Sequence, residues 1–152
     1  MKKIILAACA LAVSVTLVSP QAFADPAGEL KYRQTTMKSV GGHMGSIVGI
    51  LKQNTTNSAN LQVHADGMVA LAGISASLFP KGSNVGETTI LPVVWEKPTE
   101  FAAAIKQFQD ASMGLSMAAK TGDMAAVGAA VGNLGKSCKN CHENFREKKE
   151  KK

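Results

Sequence analysis

Residues 138–142 read Cys-Lys-Asn-Cys-His, close to a basic C-terminal tail. Two thiols three positions apart, with an imidazole beside the second, allow three kinds of chemistry. A structural zinc site needs four ligands, usually two Cys pairs or one pair with further His or Cys. Beyond this cluster the chain offers only the distant His43 and His64, together with Cys9. A thioredoxin-like dithiol expects a βαβ setting, and no such pattern is present. The third chemistry is the C-x-x-C-H signature of c-type haem attachment. There Cys138 and Cys141 add across the haem vinyl groups as thioethers, and His142 comes under the iron as an axial ligand.

The opposite end bears on this choice. Met1-Lys2-Lys3 is basic, Ile4 to Val18 carries no charge, and Ala22-Phe23-Ala24 precedes Asp25. This is the pattern of a secretory signal with an A-x-A cleavage site. The uncharged run is shorter than the roughly 20 residues of a spanning helix, so no stable membrane anchor is expected. A lipoprotein signal ending at Cys9 fits less well, since it would leave an apolar region of only five residues, against the roughly 7–15 usual. Residues 1–24 are therefore expected to be cleaved, leaving one periplasmic domain over 25–152. Lys2 and Lys3 leave with the signal, so the net charge falls from +6 to +4. Cys9 leaves too, and Cys138 and Cys141 remain as the two cysteines of the mature chain. Export suits haem attachment, which takes place outside the cytoplasm. Nothing in the sequence resembles a nucleic-acid motif.

The elements that must position the cluster are helical. Apolar positions step by three and four from Leu30 to Leu51, Leu61 to Leu78, Phe101 to Ala119 and Met124 to Phe145. Four such stripes predict four amphipathic helices. Asp25-Pro26 opens the first. Asn54 to Asn60 is a polar turn, and Pro80 to Pro98 a long connection. At Thr121-Gly122-Asp123, Gly122 stops the third helix and Asp123 caps the fourth. The expected fold is all-α, an up-down-up-down antiparallel four-helix bundle with one covalent haem at one end.

In that arrangement the end of the fourth helix lies beside the start of the first. Taking His142 about six residues from its helix end sets it about 9 Å from that face of the bundle. Met37 lies about 17 Å deep and Met44 about 27 Å. Met37 is thus the better placed sixth ligand, although stripe methionines also serve as core filling. His64 begins the second helix at the far end, where a polar or capping role is expected. His43 lies one step off the apolar stripe and is expected to be exposed. Arg33 interrupts the stripe one turn before Met37. A buried charge needs a partner, and a haem propionate would supply one.

The sequence resembles the class II c-type cytochromes, the cytochrome c′ group. The resemblance covers 25–152 and rests on Lys31-Tyr32-Arg33-Gln34, Trp95, Phe101 to Gln109, Thr121-Gly122-Asp123 and Cys138-Lys-Asn-Cys141-His142-Glu-Asn-Phe145-Arg146. It implies a haem c held by Cys138 and Cys141, with His142 as proximal ligand. Low-spin members carry a ligating methionine four positions after the first-helix arginine. Here Met37 follows Arg33 at that spacing, which implies the methionine-ligated branch. High-spin members carry a non-ligating residue there and bind nitric oxide or carbon monoxide. Arg146 is a second propionate partner by this resemblance, or else part of a solvated tail. Trp95 falls in the loop entering the third helix, at the haem end, with Phe79, Phe101 and Phe145 as apolar walls.

The expected function is one-electron transport between redox partner proteins, with no catalysis at an iron whose sixth position is filled. The alternative is a gas-binding protein with an open or displaceable distal side. The basic tail would steer an acidic partner. Gly41, Gly45 and Gly49 make a smooth face on the first helix, fit for close packing within the chain or across a homodimer. The resemblance implies pairing through the first two helices.

Overall fold

The computed structural model describes residues 25–148. The expected signal segment, 1–24, and the last four residues of the tail lie outside the described residues. Asp25 starts α1 (Pro26–Leu51) by accepting from the N–H groups of Ala27 and Gly28, both at 3.1 Å. Pro26 takes the first helical position, where its missing N–H is no loss. A short 3₁₀ turn, Ser58–Asn60, leads into α2 (Leu61–Ile74). The apolar stripe of α2 runs on to Leu78 because the helix tightens into a 3₁₀ segment, Ser75–Leu78. After the long connection comes α4 (Pro98–Thr121), then α5 (Met124–Phe145).

One element was not legible in the pattern. The connection from Pro80 to Pro98 contains a single helical turn, α3 (Val93–Glu96), and Trp95 stands on it rather than in a loop. The four long helices α1, α2, α4 and α5 form the expected bundle, running up-down-up-down. Helix α4 packs against both α2 and α5, and α1 packs on α2, while α1 meets α5 sparsely. Among the described residues there is no strand, only one isolated antiparallel bridge between Ile90 and Arg146.

The apolar stripes converge into two clusters. The larger includes Ile47, Met68, Leu115, Val127 and Leu134, all fully buried. Each such side chain contributes roughly 1.5–3 kcal/mol by leaving water. The smaller gathers Val94, Phe101, Ala104, Ile105 and Phe145, with Phe79, Trp95 and Cys141 packed against it. It lies where the long connection, the start of α4 and the end of α5 meet.

One expectation needs correction, and two of the alternatives left open lose support. His43 is half-buried rather than exposed, and it pairs with His64 between α1 and α2. A Cβ built on Gly41, Gly45 or Gly49 would touch nothing within 4 Å, so close packing inside the chain does not account for that glycine face. The tail does not leave the bundle at Arg146. Leu91 N–H donates to the Phe145 carbonyl at 3.1 Å, and Glu147 N–H donates to the Thr89 carbonyl at 2.8 Å.

Candidate cofactor site

Helix α5 places Cys138 and Cys141 on one face, because positions three apart on a helix are neighbours. Both thiols are free and half-buried. Cys138 packs against the larger cluster and Cys141 against the smaller, so the pair straddles the two. Burial raises both thiols, Cys141 to about 11, with the neighbouring Cys138 adding to the rise and Arg146 opposing it. A redox dithiol has the opposite property, a lowered thiol pKa. A zinc site at the cysteine motif finds no support either: among the described residues no group of three or more His, Cys, Asp or Glu side chains gathers where it could hold a metal ion.

His142 follows Cys141 directly. The residue is exposed, but the desolvation of the covered part of its ring, and then the positive charge of Arg146, hold its pKa below the usual value, which keeps the imidazole neutral with a lone pair to offer. Helix α5 ends at Phe145. His142 therefore sits one turn from the helix end, nearer that end than the spacing argument placed it.

Arg33 is 2% exposed. Its Nη1 donates to the Leu78 carbonyl at 3.1 Å and to Ser83 Oγ at 2.8 Å, and its Nη2 donates to the Ser83 carbonyl at 2.9 Å. These acceptors are neutral. No carboxylate lies within ion-pair distance of Arg33 among the described residues. Desolvation lowers its pKa, and Glu29 opposes the shift from farther off. Two of the five N–H bonds of this guanidinium have no acceptor among these contacts. The partners were not visible in the sequence. Pro80 to Pro98 reads in the sequence as a long connection, and nothing there marks Ser83 as the residue that receives Arg33.

A chain of rings joins Arg33 to the cysteine motif. The guanidinium stands over Phe79, 5.3 Å from the ring centroid. Phe79 meets Phe101 edge-on at 4.8 Å, and Phe101 meets Phe145 edge-on at 5.1 Å. Phe145 lies one turn beyond Cys141 and His142. Trp95 ties in from the side, its Nε1 donating to the Phe79 carbonyl at 3.0 Å. Arg33, Trp95, Cys141, His142 and Arg146 are thus brought to one end of the bundle. Met37 lies one turn further along α1 than Arg33, half-buried, and belongs to neither core cluster.

The chain matches known proteins over most of its length. Residues 29–146 match the family described as Cytochrome C'. The chain belongs to the cytochrome c′ family. Cytochrome c′ of Pararhodospirillum photometricum is 36% identical over 125 residues, spanning 82% of this chain and all of that protein. Among solved structures, cytochrome c prime from Shewanella frigidimarina superposes with a TM-score of 0.77 at 31% identity, covering 83% of this chain and 99% of that one. A nitric oxide complex of a mutant cytochrome c prime from Alcaligenes xylosoxidans gives a TM-score of 0.76 at 30% identity, covering 84% and 99%. Cytochrome c′ proteins carry a covalently attached haem c. The residues here fit that group. Two protonated thiols share one face between two apolar clusters, a neutral imidazole adjoins them, and a buried cation lacks a counter-charge.

Proposed function

We propose that this cytochrome is an exported one-electron carrier whose haem iron is held between His142 and Met37. The reading is carried by Met37, which stands one turn beyond the buried Arg33 with its sulfur committed to neither core cluster. When bound, the haem supplies one-electron redox chemistry, and a methionine ligand raises its potential. Cys138 and Cys141 tether the group through thioethers. His142, kept neutral, offers a ring nitrogen. Arg33 offers its charge and its spare N–H bonds to a propionate, and Arg146 brings a second positive charge to the same end. Phe79, Phe101, Phe145 and Trp95 form an apolar wall that excludes water.

If His142 and Met37 both held the iron, no substrate would bind there, and the protein would act as a carrier and not as an enzyme. Export places it in the periplasm. No helix among the described residues is long and apolar enough to cross a membrane. The basic residues near the C-terminus steer acidic redox partner proteins toward the haem end. A homodimer through α1 and α2 would cover the open glycine face of α1.

A second reading has its own support in the solved neighbour that holds nitric oxide. In it, Met37 stands off the iron or gives way to nitric oxide or carbon monoxide.

The optical spectrum of the oxidised protein separates the two. A low-spin spectrum with the weak methionine–iron charge-transfer band, lost in Met37→Ala, is the outcome expected of the carrier. A high-spin five-coordinate spectrum in the unmutated protein overturns it in favour of gas binding.

A further inference from the structure

The chain has three histidines, and the cofactor site uses His142. The other two, His43 of α1 and His64 of α2, come from positions 21 residues apart and meet with their Nδ1 atoms 3.2 Å apart. Their rings lie edge to face, with centroids 5.3 Å apart and planes at 67°. Two nitrogens each bound at 2.0–2.1 Å to a tetrahedral zinc stand about 3.3 Å apart. The separation of the two imidazoles is therefore that of two adjacent ligands on one metal ion.

The surroundings suit such an ion. Both histidines are half-buried, so one side of the pair meets solvent. Opposite His43 the chain carries Gly67, and a Cβ built there would collide with the imidazole ring of His43. A residue without a side chain at 67 is what lets the His43 ring lie against α2. Asp66, two positions after His64, is turned away: its carboxylate accepts from Gln62 Nε2 at 2.7 Å and from Ser116 Oγ at 2.6 Å, toward α4.

We infer that His43 and His64 form a second metal site, a two-imidazole chelate for a divalent transition cation such as zinc, with water in the remaining positions. Imidazole nitrogen suits zinc, copper and nickel, and not magnesium or calcium. Binding needs both rings in the tautomer with hydrogen on Nε2, so that each Nδ1 presents its lone pair. A single Nδ1–H···Nδ1 hydrogen bond needs one ring in each tautomer and binds nothing. Neither histidine belongs to the chain of contacts from Arg33 through Phe79, Phe101 and Phe145 to the cysteine motif, so loss of the pair is expected to leave the haem spectrum unchanged.

The test uses the haem-loaded protein, in which the cysteines are thioethers. Zinc chloride titrated by calorimetry is expected to saturate one site per chain. Affinity is expected to fall at least tenfold in His43→Asn and likewise in His64→Asn, with an unaltered Soret band as the check on folding. Gly67→Ala removes no ligand but displaces the His43 ring, and is expected to weaken binding too. In the wild type, ¹⁵N spectra of labelled histidine are expected to show the Nδ1 resonances of two histidines moving together with zinc, a readout that depends on no variant. Absence of saturable binding, equal affinity in either His variant, or movement of only one Nδ1 resonance overturns the proposal.

Discussion

Arg33 and Ser83 hold each other through two hydrogen bonds, Nη1 to the Ser83 hydroxyl at 2.8 Å and Nη2 to the Ser83 carbonyl at 2.9 Å. Fifty residues separate them in the chain. The pair fastens the long connection to α1 at the end where the cysteine motif lies. Replacing Arg33 by Leu leaves two Ser83 acceptors and the Leu78 carbonyl buried and unpaired. A loss of about 2–4 kcal/mol is expected, read from guanidinium unfolding of the haem-loaded protein. Arg33→Lys keeps the charge but not the planar fork, and is expected to recover only part of the loss. A loss below about 0.5 kcal/mol would show that the contact is not structural, since that is the range of ordinary surface changes.

The α4–α5 turn gives a local test. Gly122 closes α4 in the left-handed region at φ 71°, and Asp123 opens α5 by accepting from Ala125 N–H at 2.8 Å and Ala126 N–H at 3.2 Å. Asp123→Ala is expected to lower stability by about 1 kcal/mol through the lost cap. Gly122→Ala is expected to lose about 1 kcal/mol because a Cβ disfavours this backbone region. The sites are adjacent, so the double variant tests whether the losses add; thermal unfolding of the three variants measures it.

These capping residues also show what a sequence can reveal. Asp25, Gly122 and Asp123 act on backbone groups two or three positions away, so local order alone discloses them. The cysteine motif is equally local, since the spacing of Cys138, Cys141 and His142 is fixed by one helix. What stayed hidden joins distant segments. Ser83 looked like one more loop serine until the connection folded back on Arg33. His43 and His64 looked like unrelated polar residues, because the α1–α2 crossing that pairs them depends on Gly67 having no side chain. Whether Arg146 belonged to a solvated tail stayed open, because a bridge from Arg146 to Ile90 leaves no local pattern. The one-turn helix α3 is too short to show a period.

Burial of the Cys141 thiol makes the haem-free protein sensitive to alkali. Its pKa rises from 9.0 to about 11 in the fold. Between those values the unfolded chain has lost this proton while the folded chain keeps it. The contribution is therefore fully present below pH 9 and is lost as pH rises toward 11, by up to about 3 kcal/mol. Other groups titrate in the same range, so the quantity to measure is the difference between wild type and Cys141→Ser. That difference should shrink steadily from pH 9 to 11 in urea unfolding of the haem-free chain. A difference independent of pH would mean that the thiol is not shielded as the packing indicates.

Met37 carries a second prediction, separate from the optical test. Leucine has nearly the volume of methionine and fills a half-buried site as well, so Met37→Leu is expected to change stability by less than about 1.5 kcal/mol. It removes the sulfur. If that sulfur ligates the iron, the reduction potential falls, because methionine ligation favours the reduced state. A drop greater than about 60 mV is expected, which for one electron is a tenfold shift in the redox equilibrium. Potentiometric titration of both proteins measures it. The same substitution should open the distal side and strengthen carbon monoxide binding to the reduced protein. An unchanged potential together with unchanged carbon monoxide affinity would assign Met37 to packing alone, with the iron already open on that side.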